Sequence, residues 1–205
     1  GSTETYKLPS FEAWQSIVPN LSYNYSVSFG DGKALRDKSD DVEIAGLRFY
    51  SKGDYEPTTM TVNGSNVKCN VALRFNGDDP TEKQYRSAWL YSWGTNAVHG
   101  KNVNGLWIYC INVADRQDIS TVDDLGQTFW DQNIDSAVVR FFPAADTYPG
   151  IIHPSGVYWT ASDSRDLSAD SAYALFFCNT KCYTGYGDFK TYHFAVRLFS
   201  DRPVE

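Results

Sequence analysis

The sequence predicts an α+β domain built mainly on antiparallel sheet. Three observations carry that expectation. Val67, Cys69, Val71, Leu73 and Phe75 alternate with polar or small residues, which is the period of a strand with one buried face. Asn63-Gly64 separates this run from Thr58–Val62, and Asn-Gly between two such segments is a strong signal for a two-residue hairpin turn. Only two stretches carry a helical pattern, and no repeat, low-complexity tract or linker composition divides the chain. Residues 1–205 are therefore expected to form one domain.

In chain order, Ser10–Pro19 reads as a short helix. Ser10 is a natural N-cap, Glu12 suits the positive helix start and Pro19 helps to end it. Phe11, Trp14, Ile17 and Val18 share one face, which is expected in the core. Residues 22–41 are rich in Ser, Asn, Asp and Gly and contain Asp31-Gly32, so they read as loop with one weak strand. Val42–Tyr50 is strand-like with Gly46 as a bulge position. The alternating run at 67–75 places Cys69 on the core side. Tyr85–Trp93 and Leu106–Val113 read as two strands with a Gly- and Asn-rich connection, and Trp89, Tyr91 and Trp93 share a core-facing side. Asp118–Gln132 is the second helix, capped by Ser120 or Thr121 with Asp123 and Asp124 in its first turn. Val138–Phe142, stopped by Pro143, then Gly156–Ala161, Ala172–Phe177 and Tyr192–Phe199 complete the strands.

Composition narrows the function classes. Apolar residues make up 42% of the chain and aromatics 16%, enough for a sizeable core. The net charge of −7 repels a phosphate backbone, so no nucleic-acid partner is expected. No basic cluster points to an anionic membrane surface, and no apolar run approaches the roughly 18 residues of a membrane-spanning helix. Gly1-Ser2-Thr3-Glu4-Thr5 reads as a trimmed start, which leaves room for a leader or a lipid-anchored segment ahead of it. The four cysteines, Cys69, Cys110, Cys178 and Cys182, are even in number and permit two disulfides.

Several segments, in order along the chain, resemble one known family. Leu8-Pro9-Ser10-Phe11-Glu12-Ala13-Trp14 resembles its LP-(S/T)-x-x-x-W helix start, and Arg140–Ala145 its R-x-x-P-A-A segment. Gly156–Ser162 is similar to its G-x-Y-W-S-S-(S/T) strand, Ala172–Phe177 to the strand that follows and Phe194-Ala195-Val196-Arg197 to its closing G-F-x-V-R. This is the Fibrobacter succinogenes major paralogous domain family, which shares the C-type-lectin-like fold of the formylglycine-generating enzymes. The resemblance implies a C-type-lectin-like domain in which residues 22–135 form an enlarged β-rich insertion. It also implies an exported or surface lipoprotein of a Bacteroidetes-type bacterium, attached in some members to fimbrial or adhesive assemblies, with no defined catalytic set.

The candidate sites follow from the loops. Asp163, Asp166 and Asp170 lie in a polar stretch between two aromatic strands and have oxygen ligands to offer a cation or a sugar hydroxyl. Their spacing matches no EF-hand, and loop Asp residues equally serve local turns and caps; no metal is expected. Cys178 and Cys182 have three residues between them, a spacing that suits a hairpin closed by a disulfide in an oxidising compartment. The resemblance implies a second reading, a copper-binding, oxygen-activating pair like that of formylglycine-generating enzymes. Tyr183, Tyr186, Asp188 and Phe189, among glycines, have the composition of a ligand-binding edge, with some of these rings expected to turn inward instead. His99, His153 and His193 have no zinc spacing, and no phosphate loop, nucleophile elbow or HExxH motif occurs. The leading expectation is a non-enzymatic, cofactor-free cell-surface or fimbria-associated adhesion module for glycan or a host or bacterial surface protein. The alternatives are a copper oxidase and a structural subunit that joins an assembly through an exposed strand edge.

Overall fold

The computed structural model describes residues 6–19, 25–44, 46–77, 82–144, 154–164 and 168–200. Its elements are β1 (Tyr6–Lys7), α1 (Phe11–Gln15), β2 (Val27–Ser28), β3 (Leu35–Ile44), β4 (Leu47–Val62), β5 (Ser65–Arg74), β6 (Ser87–Val98), β7 (Lys101–Asn112), α2 (Gln127–Asn133), β8 (Val138–Pro143), β9 (Ser155–Asp163), β10 (Ser171–Cys178), β11 (Lys181–Phe189) and β12 (Phe199–Ser200). Strands β3 to β8 form a six-stranded antiparallel meander in sequence order. A four-stranded antiparallel sheet runs β2-β11-β10-β9, and β1 pairs with β12. The expected β-rich α+β architecture with a few short helices is present.

The six-stranded sheet is covered on both faces. Met60, Val62, Cys69, Val71, Leu73 and Leu90 pack with Val122, Leu125, Phe129 and Trp130 of the α2 region. On the other face Trp89, Tyr91, Leu106, Ile108 and Phe142 pack with Tyr158, Phe177 and Cys182 of the four-stranded sheet. Strand β5 is thus buried on both sides, not one: Cys69 and Ala72 are both 0% exposed, and between them Asn70 is too. Two polar residues of the alternation are internal because they serve docked segments: Asn70 bonds Ser28 O of the second sheet, and Arg74 bonds the end of α1. Phe75 leaves the alternation, since the strand ends at Arg74 and Phe75 takes a positive φ of 58°.

The first helix forms as its sequence dictates. Ser10 Oγ accepts the Ala13 amide at 3.1 Å, and Trp14 and Val18 are fully buried. Its last carbonyls would be orphans in so short a helix. The Arg74 guanidinium satisfies them, donating to the carbonyls of Gln15 (2.6 Å), Ser16 (3.0 Å) and Ile17 (3.1 Å). Tyr91 Oη donates to Ile17 O as well, at 2.9 Å. From the other sheet, Thr184 Oγ1 donates to Val18 O at 3.1 Å and Thr184 N–H to Pro19 O at 3.3 Å.

Several boundaries differ from the sequence expectation. Val42–Tyr50 is a hairpin turning at Gly46 (φ +78°), with Ile44 opposite Leu47, so the 22–41 stretch contains most of β3. Strands β6 and β7 run on to a tight turn at His99-Gly100, both at positive φ, which repeats the geometry at Asn63-Gly64. The helix expected over 118–132 splits. Thr121 caps a 3-10 turn at Val122–Asp124, and extended Gly126 separates it from α2. Residues 190–198 cross the four-stranded sheet with one parallel bridge, Tyr158 to Ala195, instead of forming a long strand. Strands β1 and β11 are not among the strands expected from the sequence.

Two glycine positions carry packing. Gly185 (φ +88°) sits at a register shift in β11. The extra residue puts Tyr183 and Tyr186, three apart, on the same sheet face. At Gly156 any side chain would run into the Phe177 ring, which lies over the glycine from the neighbouring strand.

Two outcomes follow. Gly156→Ala displaces Phe177 from its stack on Tyr158 and is expected to lower unfolding stability by about 1–3 kcal/mol in urea titration; a wild-type midpoint would contradict this packing. Asp124 accepts from the amides and hydroxyls of both Ser120 and Thr121, which holds its carboxyl at about 2, below the ordinary 3.8. A depressed carboxylate stabilises above its unfolded pKa and loses that contribution as pH falls through the folded one. Asp124→Asn should therefore melt below wild type at pH 7, with the gap closing between pH 4 and about pH 2; a gap independent of pH would refute the assignment.

Candidate functional site

The sequence-predicted carboxylates gather at one end of the four-stranded sheet. Ala172 stands opposite both Asp163 on β9 and Asp188 on β11, so the two carboxylates flank it on one face. Internal bonds already engage Asp163 and Asp188. Lys190 Nζ reaches Asp163 at 2.7 Å and Ala169 O at 3.3 Å, and the Lys190 amide donates to the main-chain carbonyl of Asp170 at 2.8 Å. Asp188 accepts from Tyr186 Oη and from the Phe189 amide, both at 2.8 Å. At Asp163 a lysine ammonium holds the place a cation would take, and Asp166 lies outside the described residues. Among the described residues no group of three His, Cys, Asp or Glu side chains is placed to hold a metal ion.

The expected aromatic edge is a strand face. Tyr183 is 3% exposed and packs on Phe176 at 5.4 Å between ring centres. Tyr186 is half-buried between Phe176 and Phe194. Phe194 also covers Trp159 at 4.5 Å. Tyr183 is therefore core and not a ligand contact, because unbroken register from the turn sets it opposite Phe176, and the shift at Gly185 brings Tyr186 onto the same face, which Phe194 covers. Phe189 is exposed, as are His99 and His193; His153 lies outside the described residues.

The cysteine pair is corrected by register. The β10–β11 turn is Asn179-Thr180, with Cys178 opposite Lys181 and Cys182 opposite Phe177. Side chains alternate faces along a strand, so the two thiols leave opposite faces of the sheet. The expected bridge is not formed, and all four cysteines are free. Cys182 points into the layer between the sheets, where burial pushes its thiol well above the ordinary value. Burial likewise raises Cys69 and Cys110 to about 12. Such thiols are protonated at neutral pH and poor as nucleophiles or metal ligands.

At the hairpin-turn end of the same sheet lies a groove of about 440 Å³. Its wall is the seam between the two sheets. The Phe29 amide bonds Thr180 O (2.8 Å) on one sheet and the Gly30 amide bonds Cys69 O (3.1 Å) on the other. Asn70 Nδ2 secures Ser28 O at 3.0 Å. Gly30 (φ +67°) lies against the Lys68 methylenes, and Gly32 packs so tightly on Ser28 that a side chain there would overlap it. Ser28 and Lys181 are cross-strand partners on one face, with Ser26 two residues away on the same side. Lys33, Lys68 and Lys181 line the opening along with Asp31, which Lys68 holds at 2.8 Å and below the usual carboxylate range. Phe29 and Leu35 form its apolar floor. The three lysines come from positions 33, 68 and 181, and no local pattern announces that they meet. The one sequence signal is the Gly30-Asp31-Gly32 spacing.

Alkylation with iodoacetamide at pH 8 checks the thiol geometry. Cys69, Cys110 and Cys182 are expected to stay unmodified in the native protein and to react fully in denaturant. Rapid native labelling, or a Cys178–Cys182 bridge in the unreduced protein, would contradict it.

No helix of the described residues is long and apolar enough to cross a membrane. Comparison with curated proteins found no match, and comparison with solved structures found none. A protein-family profile described as a domain of unknown function, DUF8237, matches residues 1–199. The chain belongs to the DUF8237 family.

Proposed function

We propose that this domain is a non-enzymatic binding module exported to the cell surface, which takes a glycan or a protein surface loop into the groove between its two sheets. The carrying observation is the groove itself. It is concave, its rim is built of hydroxyl, amide and ammonium groups, and its floor is the apolar pair Phe29 and Leu35. Pockets of several hundred cubic ångströms with an apolar base and a few convergent polar groups are the usual form of a ligand site. The walls are backbone hydrogen bonds between strands, so the site is pre-formed and little is lost in ordering it.

The sequence resemblance to the Fibrobacter succinogenes major paralogous domains supports the same reading. Antiparallel sheets, two short helices and paired terminal strands fit a C-type-lectin-like domain, and the surface location, lipid anchoring and fimbrial association of that family come with it as part of the proposal. The oxidase alternative has little support, since the thiols of Cys178 and Cys182 face apart. Assembly by strand addition is also less favoured. The edge strand β3 carries Arg36, Asp37 and Lys38, with a register irregularity and a positive φ at Asp37, features that keep partner strands away.

The test is a solution screen of the purified domain against glycan and surface-protein arrays. Binding that Gly32→Val abolishes, through its overlap with Ser28, is expected. No binding to either array at millimolar ligand would overturn the proposal.

A further inference from the structure

The groove's charge names its ligand class. The chain carries a net charge of −7, yet among the described residues this opening is lined by three lysines and one aspartate. Asp31 is already bound to Lys68. The opening thus presents positive potential on an acidic molecule, and a low-dielectric concave wall concentrates such a field. A neutral sugar gains nothing from it, whereas an anionic group does.

The remaining lining fits a polyol. Ser26, Ser28, Asn179 and Thr180 offer hydroxyl and amide groups beside the lysines, suited to hydrogen bonds with ring hydroxyls. Phe29 below them gives an apolar surface for the C–H face of a sugar. The space, about 440 Å³, holds one or two sugar rings. We infer that the groove binds a sugar bearing an anionic group, a carboxylate or a sulfate, with Lys33 and Lys181 contacting the charge and Ser28 and Thr180 the ring hydroxyls. This rests on the reading of the groove as a ligand site and adds the ligand's class. Lys68 is a positioning residue that holds Asp31 and the Gly30 turn.

The experiment is an amide-resolved NMR titration of the whole domain with four probes: glucuronic acid, galactose 6-sulfate, galactose and sodium acetate. The expected result is saturable shifts at Ser28, Gly30, Gly32 and Lys181 with glucuronic acid, the sulfated sugar or both; which one binds identifies the anionic group. Galactose and acetate should each be at least tenfold weaker. Lys33→Met with Lys181→Met should weaken the anionic sugar at least tenfold while leaving the thermal midpoint unchanged. Raising NaCl from 50 to 500 mM should weaken it also. Equal binding of galactose, acetate binding as tight as the sugar acid, or indifference to the lysine substitutions would overturn the anionic-sugar assignment and leave the binding-module reading standing. Failure of every probe here, together with blank arrays, would remove both.

Discussion

The fold turns on one buried guanidinium. Arg74 is 1% exposed and donates to three consecutive carbonyls at the end of α1. Its Cζ lies 5.0 Å from the Trp89 ring centre and 5.3 Å from that of Phe75. Removing a charged group from water is costly unless its donors are satisfied, and here the geometry supplies the acceptors. A five-residue helix cannot hold its own last carbonyls, and a buried arginine needs a fan of oxygens. Each solves the other's problem.

That pairing sets where everything else sits. Arg74 and Tyr91 come from the six-stranded sheet and Thr184 from the four-stranded sheet, and both grip residues 15–19. Trp14, one residue earlier, fills the junction against Phe142, Tyr158 and Phe199. With the two sheets fixed through this segment, their far seam is fixed as well. There Phe29 and Gly30 join Thr180 to Cys69, and the groove is the space that the seam leaves open. Its lysines therefore need no local sequence neighbourhood. They are brought together by the relative placement of two hairpins and the β2–β3 connection.

Local physics made much of the fold legible in the sequence. Ser10, the Trp14/Ile17/Val18 part of the expected helix face, Asn63-Gly64, the Trp89/Tyr91/Trp93 face and the strands at 156–161 and 172–177 are where short-range rules place them, while Phe11 stacks on Tyr173 outside the core cluster. What sequence could not show depends on non-local contact. Arg74 reads as the polar half of an alternating strand, and only the docking of α1 makes it internal. Lys181–Phe189 reads as a polar, glycine-rich edge, and only its pairing with β10, with the shift at Gly185, sets Tyr183 and Tyr186 together on one covered face. The spacing of Cys178 and Cys182 suits a bridge until the two-residue turn fixes their parity. Of the candidate site, Asp163 and Asp188 do flank one position, but Lys190 and local groups hold them, while the groove's lysines had no motif and only the Gly30-Asp31-Gly32 spacing marked its wall.

The most direct test of the Arg74 account is native-state hydrogen exchange on Arg74→Lys, which keeps the charge and most of the stem but not the fork. The amides to follow are those of Val18, bonded to Trp14 O, and Thr184, bonded to Pro19 O. Leaving one or two carbonyls unpaired in the core costs about 1–3 kcal/mol, so protection at both amides should fall together by roughly tenfold or more, on two elements far apart in sequence. Loss confined to the neighbours of residue 74 within β5, with Val18 and Thr184 protected as in wild type, would contradict the claim that this guanidinium holds the two sheets in register.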